Sequence, residues 1–254
     1  MLLCVDIGNT NITLGFFDGE ALLFTARLST HPHRTADQFA LEIKNVVELN
    51  GSDYLHIEDA VIGSVVPEVG LSVSRAISKL CNIVPLMLGP GVKTGLNIKI
   101  DNPAQLGADL VAGAVGALDC YTTPCIIIDM GTATTVSVLD SKGQFLGGIM
   151  SAGVGLTVNA LVGNTSLLPS IDIEAPKSVI GSNTVDCMKS GIIYGSAAML
   201  DGLINRIENE IGTTCTVVAT GGKSRDVIAH CTRDIIYNEN LLLDGLRLIY
   251  EKNT

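Results

Sequence analysis

The chain has no tryptophan, few other aromatic residues and a small share of charged ones. Only 4% of its 254 residues are aromatic and 17% are charged, while 47% are hydrophobic. A core made from this composition consists of Val, Ile, Leu and Ala, which is typical of buried strands covered by helices. The length predicts one or two domains with ample buried core.

The sequence also lacks the cysteine spacing of a disulfide framework or a zinc site. It has seven cysteines, an odd number, and no Cys-x-x-Cys pair occurs. Most of them stand in apolar runs, where a free thiol behaves as a small hydrophobic group. These features predict a reducing, cytoplasmic location.

Excess basic charge and long apolar runs are missing as well. The 26 acidic residues outnumber the 16 Lys and Arg, which gives a formal net charge of −10. Such a surface repels nucleic acid and anionic membranes, so neither is an expected partner. The first five residues are apolar, but no basic segment precedes them, and no apolar stretch approaches ~20 residues. We therefore expect neither a signal peptide nor a membrane span.

What the sequence does contain is one motif that occurs twice, about half a chain apart. An apolar run ends in Asp6 and is followed by Gly8, and a second run ends in Asp129 and is followed by Gly131. Each motif continues with small polar residues, resumes an apolar stretch and reaches a turn that contains glycine. The repeat predicts two related half-domains that hold a ligand between them.

The repeated motif indicates a nucleotide triphosphate with its metal. A glycine lets backbone N–H groups approach phosphate oxygens. Further donors are offered by the polar residues that follow, Asn9, Thr10, Thr13, Thr132, Thr134 and Thr135. A carboxylate cannot bind phosphate directly, so a cation between the two is expected, and Mg²⁺ takes one or two carboxylates with water and phosphate. The alternative is a pair of ordinary hairpins with Asp and Gly at their turns. Two copies at half-chain spacing make that alternative the weaker interpretation.

The rest of the chain is predicted to alternate helices and strands in two lobes, residues 1–118 and 119–254. Besides hairpins at 2–30 and 125–150, we predict helices at 38–50, 68–81, 104–118 and about 184–211, strands at 60–67, 84–88 and 215–222, and two short helical segments near the C-terminus. Loops are predicted at 89–103 and between the second hairpin region and the helix at 184–211.

Asp109 is the best candidate for a general base. It stands early in a helix rich in Gly and Ala, after Gly107 and Ala108 and before Leu110. Two small residues leave room for a ligand, and a general base needs a positioned carboxylate. An ordinary aspartate in the first helical turn, favourable to the helix dipole, is the slightly better explanation from these residues alone.

Other motifs allow both a functional and a structural interpretation. Asn183 or Thr184 is expected to cap a helix, and the cap would be functional if its hydroxyl also faced a ligand. The segment 220–222 is either a plain turn or a backbone contact to a nucleotide, and 153–155 is a weak glycine loop that by default is a turn. The small residues that follow Asp109 permit close helix packing, at a subunit interface or within the monomer.

Taken together, these motifs resemble those of the type III pantothenate kinases. Five segments carry the likeness, and they follow the family's order and spacing. These segments are 6–10, 107–109, 129–135, 181–185 and 219–222. The paired Asp-Gly motifs are shared with the wider actin-like ATPase superfamily and specify the fold more than the substrate. The Gly-x-Asp and Asn-Thr-Val elements are more specific to this family.

The resemblance implies a fold of two duplicated actin-like (ribonuclease H-like) α/β lobes with an ATP cleft between them. It implies transfer of the γ-phosphate of ATP to the terminal hydroxyl of pantothenate, giving 4'-phosphopantothenate in the first step of coenzyme A biosynthesis. It further implies a homodimer that uses Mg²⁺ and a monovalent cation, K⁺ or NH₄⁺.

The resemblance also assigns roles to individual residues. It implies that Asp109 is the catalytic base, that Asp129 holds the monovalent cation and that Asp6 is a possible ligand of Mg²⁺. Contacts with ATP are implied for Asp6, Ile7, Gly8, Asn9, Thr10, Asn11, Ile12, Thr13 and Thr132. Contacts with pantothenate are implied for Gly107, Ala108, Asp109, Leu110 and Thr184.

The sequence departs from the family's usual pattern at two positions. Leu110 replaces the usual arginine, and Ile100 replaces an aromatic residue that is often present. An arginine beside a carboxylate contributes ~1.5–3 kcal/mol, so its absence predicts binding weaker by roughly ten- to a hundredfold, unless Lys93, Lys99 or Arg34 compensates. Two alternatives stay open: a kinase for a different small alcohol, and a nucleotide-binding regulatory protein of the same fold without kinase activity.

Overall fold

The computed structural model describes residues 1–254 and contains eleven strands and seven α-helices. The strands are β1 (Leu2–Ile7), β2 (Asn11–Asp18), β3 (Ala21–Ser29), β4 (Asp59–Ser64), β5 (Leu86–Met87), β6 (Asn97–Ile98), β7 (Cys125–Met130), β8 (Ala133–Leu139), β9 (Gln144–Ala152), β10 (Thr216–Thr220) and β11 (Ile236–Tyr237). The helices are α1 (Ala36–Leu49), α2 (Pro67–Cys81), α3 (Ala108–Cys120), α4 (Val154–Gly163), α5 (Thr184–Ile211), α6 (Ser224–Ile228) and α7 (Leu241–Glu251). Short 3₁₀ helices lie at Tyr54–His56 and Pro103–Gln105.

The strands form two sheets that share one internal order. In the first sheet the order is β3-β2-β1-β4-β5. Strand β2 is antiparallel to both of its neighbours, β1 and β3, whereas β4 and β5 run parallel to β1. In the second sheet, β9-β8-β7-β10-β11 repeats that order and those directions, and β6 is added beside β9. The predicted α/β class with a duplicated fold is therefore confirmed.

The chain divides into two compact units. The first comprises Met1–Leu96, Asp101–Asp119 and Asn240–Thr254, and the second comprises Asn97–Ile100 and Cys120–Glu239. The chain changes unit close to the predicted boundary after residue 118, but its C-terminal segment returns to the first unit. This happens because α7 packs on β1 and β4, where Leu246 shares an apolar cluster with Cys4 and Val61. The limits 1–118 and 119–254 stay a prediction about the sequence repeat alone.

The first unit has its sheet between two layers of helices. Successive residues of a strand face opposite sides of the sheet, so Val5 joins the apolar cluster of α1 and α2 while Cys4 packs with residues of α7. On α1, Phe39, Ile43 and Val47 recur every four residues and are fully buried in the first of these clusters. Because β1 is packed on both faces, the position of its last residues is fixed.

In the second unit the long helix α5 covers one face of the sheet. Ile193, Leu200 and Ile204 are fully buried and share an apolar cluster with Ile128 of β7. The helix begins at the Asn183 cap and ends at Gly212, which has the left-handed conformation. The helix predicted at 184–211 is confirmed.

Several predicted elements differ from those observed. Helix α4 replaces part of the predicted loop, and Gly153 is its N-cap instead of part of a glycine turn. Pro67 begins α2, whereas it was expected to end the preceding strand, because proline is well tolerated in the first helical turn. Helix α3 begins four residues later than predicted, at Ala108, because the 3₁₀ helix Pro103–Gln105 precedes it.

All seven cysteines are free thiols. Burial raises the pKa of the Cys125 thiol to about 12 and that of Cys81 to about 11. Thiols with such values stay protonated at neutral pH and are poor nucleophiles. None of the helices combines the length and the hydropathy that a membrane-spanning segment requires.

Candidate active site

The first Asp-Gly motif forms the tight connection between β1 and β2. Asp6 pairs in register with Thr13 across the two strands. The backbone N–H of Gly8 donates to the Asn11 carbonyl oxygen at 3.0 Å, which closes the turn. From the end of β3, the Thr30 hydroxyl donates to the Gly8 carbonyl oxygen at 2.7 Å. The turn is therefore held by hydrogen bonds on two sides.

The predicted ATP-binding residues of this motif differ in exposure. The side chains of Ile7 and Ile12 are fully buried in the apolar cluster of the first unit. Asn9, Thr10 and Asn11 are exposed. The two isoleucines can offer a ligand only their backbone groups, whereas the three polar residues can also offer side chains.

The structure brings Asp109 to the same end of the first sheet. Strand β4 runs parallel to β1 and places Gly63 beside Asp6. A Cβ atom on Gly63 would lie 3.8 Å from the side chain of Ala108, so the start of α3 packs on the end of β4. Because the carboxyl ends of parallel strands meet at one edge, Asp109 and Asp6 belong to the same end of the sheet.

The surroundings of Asp109 favour its neutral form. The residue is half-buried, and burial raises the pKa of its carboxyl group. Its Oδ1 accepts the backbone N–H of Leu110 at 2.8 Å, and this hydrogen bond opposes the shift. A Cβ atom at Gly107 would overlap Oδ1, so the rotamer of Asp109 requires glycine there. A raised pKa brings a carboxyl group closer to the range in which a general base works efficiently.

The second Asp-Gly motif repeats this arrangement in the second unit. Asp129 pairs in register with Thr135 across β7 and β8. The backbone N–H of Gly131 donates to the Ala133 carbonyl oxygen at 3.0 Å. The two motifs therefore match in structure as they do in sequence, and the second turn is the tighter one.

Two further backbone segments lie against the second Asp-Gly motif. Gly221, at the end of β10, has a φ of +93°, and a Cβ atom there would lie 2.6 Å from the Asp129 Oδ1. Only glycine suits this position, because both its conformation and its close contact exclude a side chain. The N–H of Gly153, the N-cap of α4, donates to the Thr132 carbonyl oxygen at 3.0 Å. A helix N-terminus, which favours nearby negative charge, therefore begins beside Thr132.

Two other predicted polar groups have different surroundings. Thr134 was expected to offer a donor, but its side chain is only 2% exposed within β8, so it does not reach a ligand. Thr184 begins α5 and is exposed. The cap itself is Asn183, whose Oδ1 accepts the N–H of Asp186 at 3.0 Å. The structure gives the capping role to Asn183, and Thr184 is the first residue of the helix.

The end of β4 is the part of the site that the sequence did not reveal. Gly63 and Val65 connect the first Asp-Gly motif to the start of α3, since the N–H of Val65 donates to the Ile7 carbonyl oxygen at 3.0 Å. Ser64 stabilises this end of the strand, because its Oγ accepts the N–H of Val66 at 3.1 Å. In the sequence this part of the site shows only as an apolar strand that ends in Gly-Ser, which does not by itself indicate a functional residue.

The acidic residues of the site suit a metal that arrives with its substrate. No group of three or more His, Cys, Asp or Glu side chains in the structure is arranged to hold a metal ion. Mg²⁺ commonly takes one or two carboxylates and completes its shell with water and phosphate oxygens. A single strand-end carboxylate such as Asp6 fits that mode of binding.

Comparison with solved structures shows which known folds the chain resembles. Over 99% of the chain, the fold is similar to that of a Baf family transcriptional activator from Campylobacter jejuni, with a TM-score of 0.63, 19% identity and 98% of that chain covered. It is also similar to the activator of the 2-hydroxyisocaproyl-CoA dehydratase from Clostridium difficile, with a TM-score of 0.56, 16% identity and 94% of that chain covered. These likenesses concern the fold alone, a mixed α/β fold of the actin-like type with two sheets.

Comparison of sequences identifies the family. The family model for type III pantothenate kinase matches residues 2–206. Type III pantothenate kinases from Exiguobacterium sp. and Brevibacillus brevis are 40% and 41% identical to the chain, and each alignment covers 100% of this chain and 99% of the relative. The chain belongs to the type III pantothenate kinase family.

Proposed function

We propose that the chain transfers the γ-phosphate of ATP to the terminal hydroxyl of pantothenate, the first step of coenzyme A biosynthesis. Membership of the family supports this activity. The structural observation that carries the proposal is the placement of Asp109. It is a half-buried carboxyl group with a raised pKa, at the same sheet end as the turn after Asp6.

In this proposal the Asp-Gly motifs bind ATP and its counterions. Residues 6–13 and Thr132 contact the nucleotide, mainly through backbone N–H groups and exposed polar side chains. Asp6 would hold Mg²⁺ directly or through water, and the bound ion would supply positive charge beside the phosphates. Asp129 would hold a monovalent cation, which would screen its carboxylate from the phosphates.

Asp109 is the proposed proton acceptor of the reaction. The hydroxyl oxygen of the acceptor attacks the γ-phosphorus, the bond from the γ-phosphorus to the bridging oxygen breaks, and ADP leaves. The hydroxyl proton passes to the Asp109 carboxylate. Gly107 and Ala108 leave space for the acceptor, and Leu110 and Thr184 contact it. Catalysis of phosphoryl transfer rests mainly on such positioning and on charge stabilisation.

A kinase for a different small alcohol is the second candidate, and Leu110 is the observation that favours it. Leu110 directly follows Asp109 and offers no charge to a substrate carboxylate. An uncharged alcohol of the same shape would lose less binding free energy at a site without an arginine, because it needs no charge-assisted hydrogen bond.

We also propose that the protein works as a homodimer in the cytoplasm. Met150, Leu167 and Ile180 of the second unit expose 71%, 91% and 87% of their surface, and a second copy would cover such apolar groups. The seven free thiols are in keeping with a reducing compartment.

A coupled assay for ADP tests the proposed function. The purified chain is supplied with ATP, Mg²⁺ and either pantothenate or the corresponding uncharged alcohol, pantothenol. We expect turnover with pantothenate, and loss of that turnover in Asp109→Asn. Turnover with pantothenol alone would support the second candidate. Binding of ATP without turnover of either acceptor would support a regulatory protein instead.

A further inference from the structure

The C-terminal tail is hydrogen-bonded to a loop far away in the sequence. The Asn253 Oδ1 accepts the backbone N–H of Lys93 at 3.0 Å, and the Asn253 Nδ2 donates to the Lys93 carbonyl oxygen at 2.8 Å. The same Nδ2 donates to the Ile249 carbonyl oxygen at 2.7 Å, which fixes the amide to α7. One side chain therefore satisfies both backbone groups of Lys93, as a neighbouring strand would.

A second tail residue contacts the same loop. Gly95 has a φ of +73°, and a Cβ atom on it would lie 3.1 Å from Cε of Lys252. The Lys252 side chain therefore lies along the loop backbone next to the residues that Asn253 holds. We call residues 89–96, which lie between β5 and β6, the acceptor loop, because they pack against the helix that follows Gly107.

The acceptor loop is packed against the helix that carries Asp109. Val92 and Leu96 of the loop share an apolar cluster with Val111 of α3. Leu106, which directly precedes Gly107, belongs to the same cluster. A displacement of the loop would therefore act on the backbone both before and after Asp109.

We propose that Asn253 is a positioning residue for the acceptor side of the active site. By holding Lys93 it fixes the acceptor loop, and through the shared cluster the loop holds residues 107–109. This inference rests on the proposed function, in which that segment receives the acceptor. Asn253 lies outside residues 2–206, the part of the chain that the family model matches.

Hydrogen exchange on the full-length chain tests the structural half of the proposal. Asn253→Ala removes the hydrogen bonds to Lys93, whereas Asn253→Asp keeps the shape and places a carboxylate oxygen against the carbonyl oxygens of Lys93 and Ile249. Thr254→Ala is the control. The exposed Thr254 hydroxyl donates to the Tyr250 carbonyl oxygen of α7 at 3.4 Å and does not bond to the acceptor loop. We expect faster exchange at 92–96 and at 107–111 in both Asn253 variants, most in Asn253→Asp, and unchanged exchange in the control.

Steady-state kinetics test the functional half. Loss of two hydrogen bonds should raise the KM for pantothenate about tenfold in Asn253→Ala, and more in Asn253→Asp. The KM for ATP should stay within about twofold, because ATP binds at the Asp-Gly motifs. A tail that only stabilises the fold would not separate the two KM values.

Two results would overturn the proposal. One is wild-type exchange at 107–111 in Asn253→Asp, which would show that the tail does not hold the start of α3. The other is an equal rise in both KM values together with a lower Tm, which would reduce the tail to a structural role. If the wild type does not phosphorylate pantothenate, the proposed function fails, and the exchange at 107–111 then decides the positioning role.

Discussion

Gly245 of α7 lies directly against Ala112 of α3, so that a Cβ atom on Gly245 would overlap the Ala112 carbonyl oxygen. Gly116 approaches the Leu241 carbonyl oxygen in the same way. The two helices therefore meet backbone to backbone, which explains why α3 is so rich in small residues. Of the two interpretations of those residues, close packing within the monomer is confirmed.

The contact predicts a cost for adding one methyl group. Gly245→Ala forces α3 and α7 apart and should lower the free energy of unfolding by about 1–3 kcal/mol, with a Tm lower by roughly 2–4 °C for each kcal/mol. Gly202→Ala is the matched control, since Gly202 is helical and a Cβ atom there would meet nothing within 4 Å. The control should melt at the wild-type temperature or above it, because alanine favours helix. Equal melting of wild type and Gly245→Ala would contradict the close approach.

Asp109→Asn should abolish most of the proposed activity while ATP binding survives. A positioned proton acceptor contributes roughly 10²–10⁴-fold to rate, and the amide cannot take the proton. Asp119→Asn, an exposed residue near the other end of α3, is the control and should keep its activity. Rates from the ADP-coupled assay and ATP affinities from calorimetry decide the outcome, and a wild-type rate in Asp109→Asn would leave the base assignment without support.

The same substitution should stabilise the fold at neutral pH. Burial raises the pKa of Asp109 above the value of 3.8 expected in the unfolded chain, so the folded state binds the proton more tightly. Stability of the wild type is therefore lost as pH rises through the raised pKa. Asp109→Asn carries no such charge and should melt above the wild type at pH 7 to 8, with the difference shrinking as pH falls towards the unfolded value. A constant difference across that range would exclude the carboxylate as its cause.

Activity should depend on a monovalent cation through Asp129. Without such a cation, the carboxylate would repel the phosphates that the motif is proposed to bind. We expect higher rates in KCl or NH₄Cl than in NaCl at equal ionic strength, and a loss of this difference in Asp129→Asn. Equal rates in all three salts, and in Tris buffer without any of them, would remove the cation from the mechanism.

Leu110→Arg tests what the acceptor needs at this position. If Leu110 contacts the acceptor carboxylate region, an arginine should lower the KM for pantothenate by about tenfold or more, through a charge-assisted hydrogen bond. Leu110→Gln introduces a polar but uncharged side chain and should change the KM for pantothenate little. The KM for ATP should stay constant in both variants. A higher KM for pantothenate in a variant that melts normally would mean that the pocket is built for an apolar neighbour.

The elements that the sequence predicted well are those with strong local signals. Helix α5 has a cap at Asn183, a glycine after its last residue and regular apolar spacing, so its predicted ends match the structure. Helix α4 begins at Gly153 without a side-chain cap, and it lies in a segment rich in Gly, Ser and Pro, which indicated a loop. Strands β6 and β11 have two residues each and exist only through pairing with longer strands, which no local pattern reveals.

The site was predictable only where its functional residues lie close together in the sequence. The Asp6 and Asp129 motifs contain carboxylate, glycine and polar residues within a few positions, and the structure places both at strand ends. The contact between the end of β4 and Ala108 joins segments that are distant in sequence. It follows from the pairing of β4 with β1, which is a tertiary property of the sheet.

The return of the C-terminal segment Asn240–Thr254 to the first unit has a consequence for folding during synthesis. The main segment of the second unit, Cys120–Glu239, is continuous and is complete before α7 has been made. Until Leu246 emerges, apolar groups such as Phe17 on the α7 side of the first sheet lack the part of their cover that α7 provides. Domains generally fold as units, in the order of their synthesis. Here, however, the part of the chain that leaves the ribosome first must wait for the last helix before the α7 side of its sheet is buried.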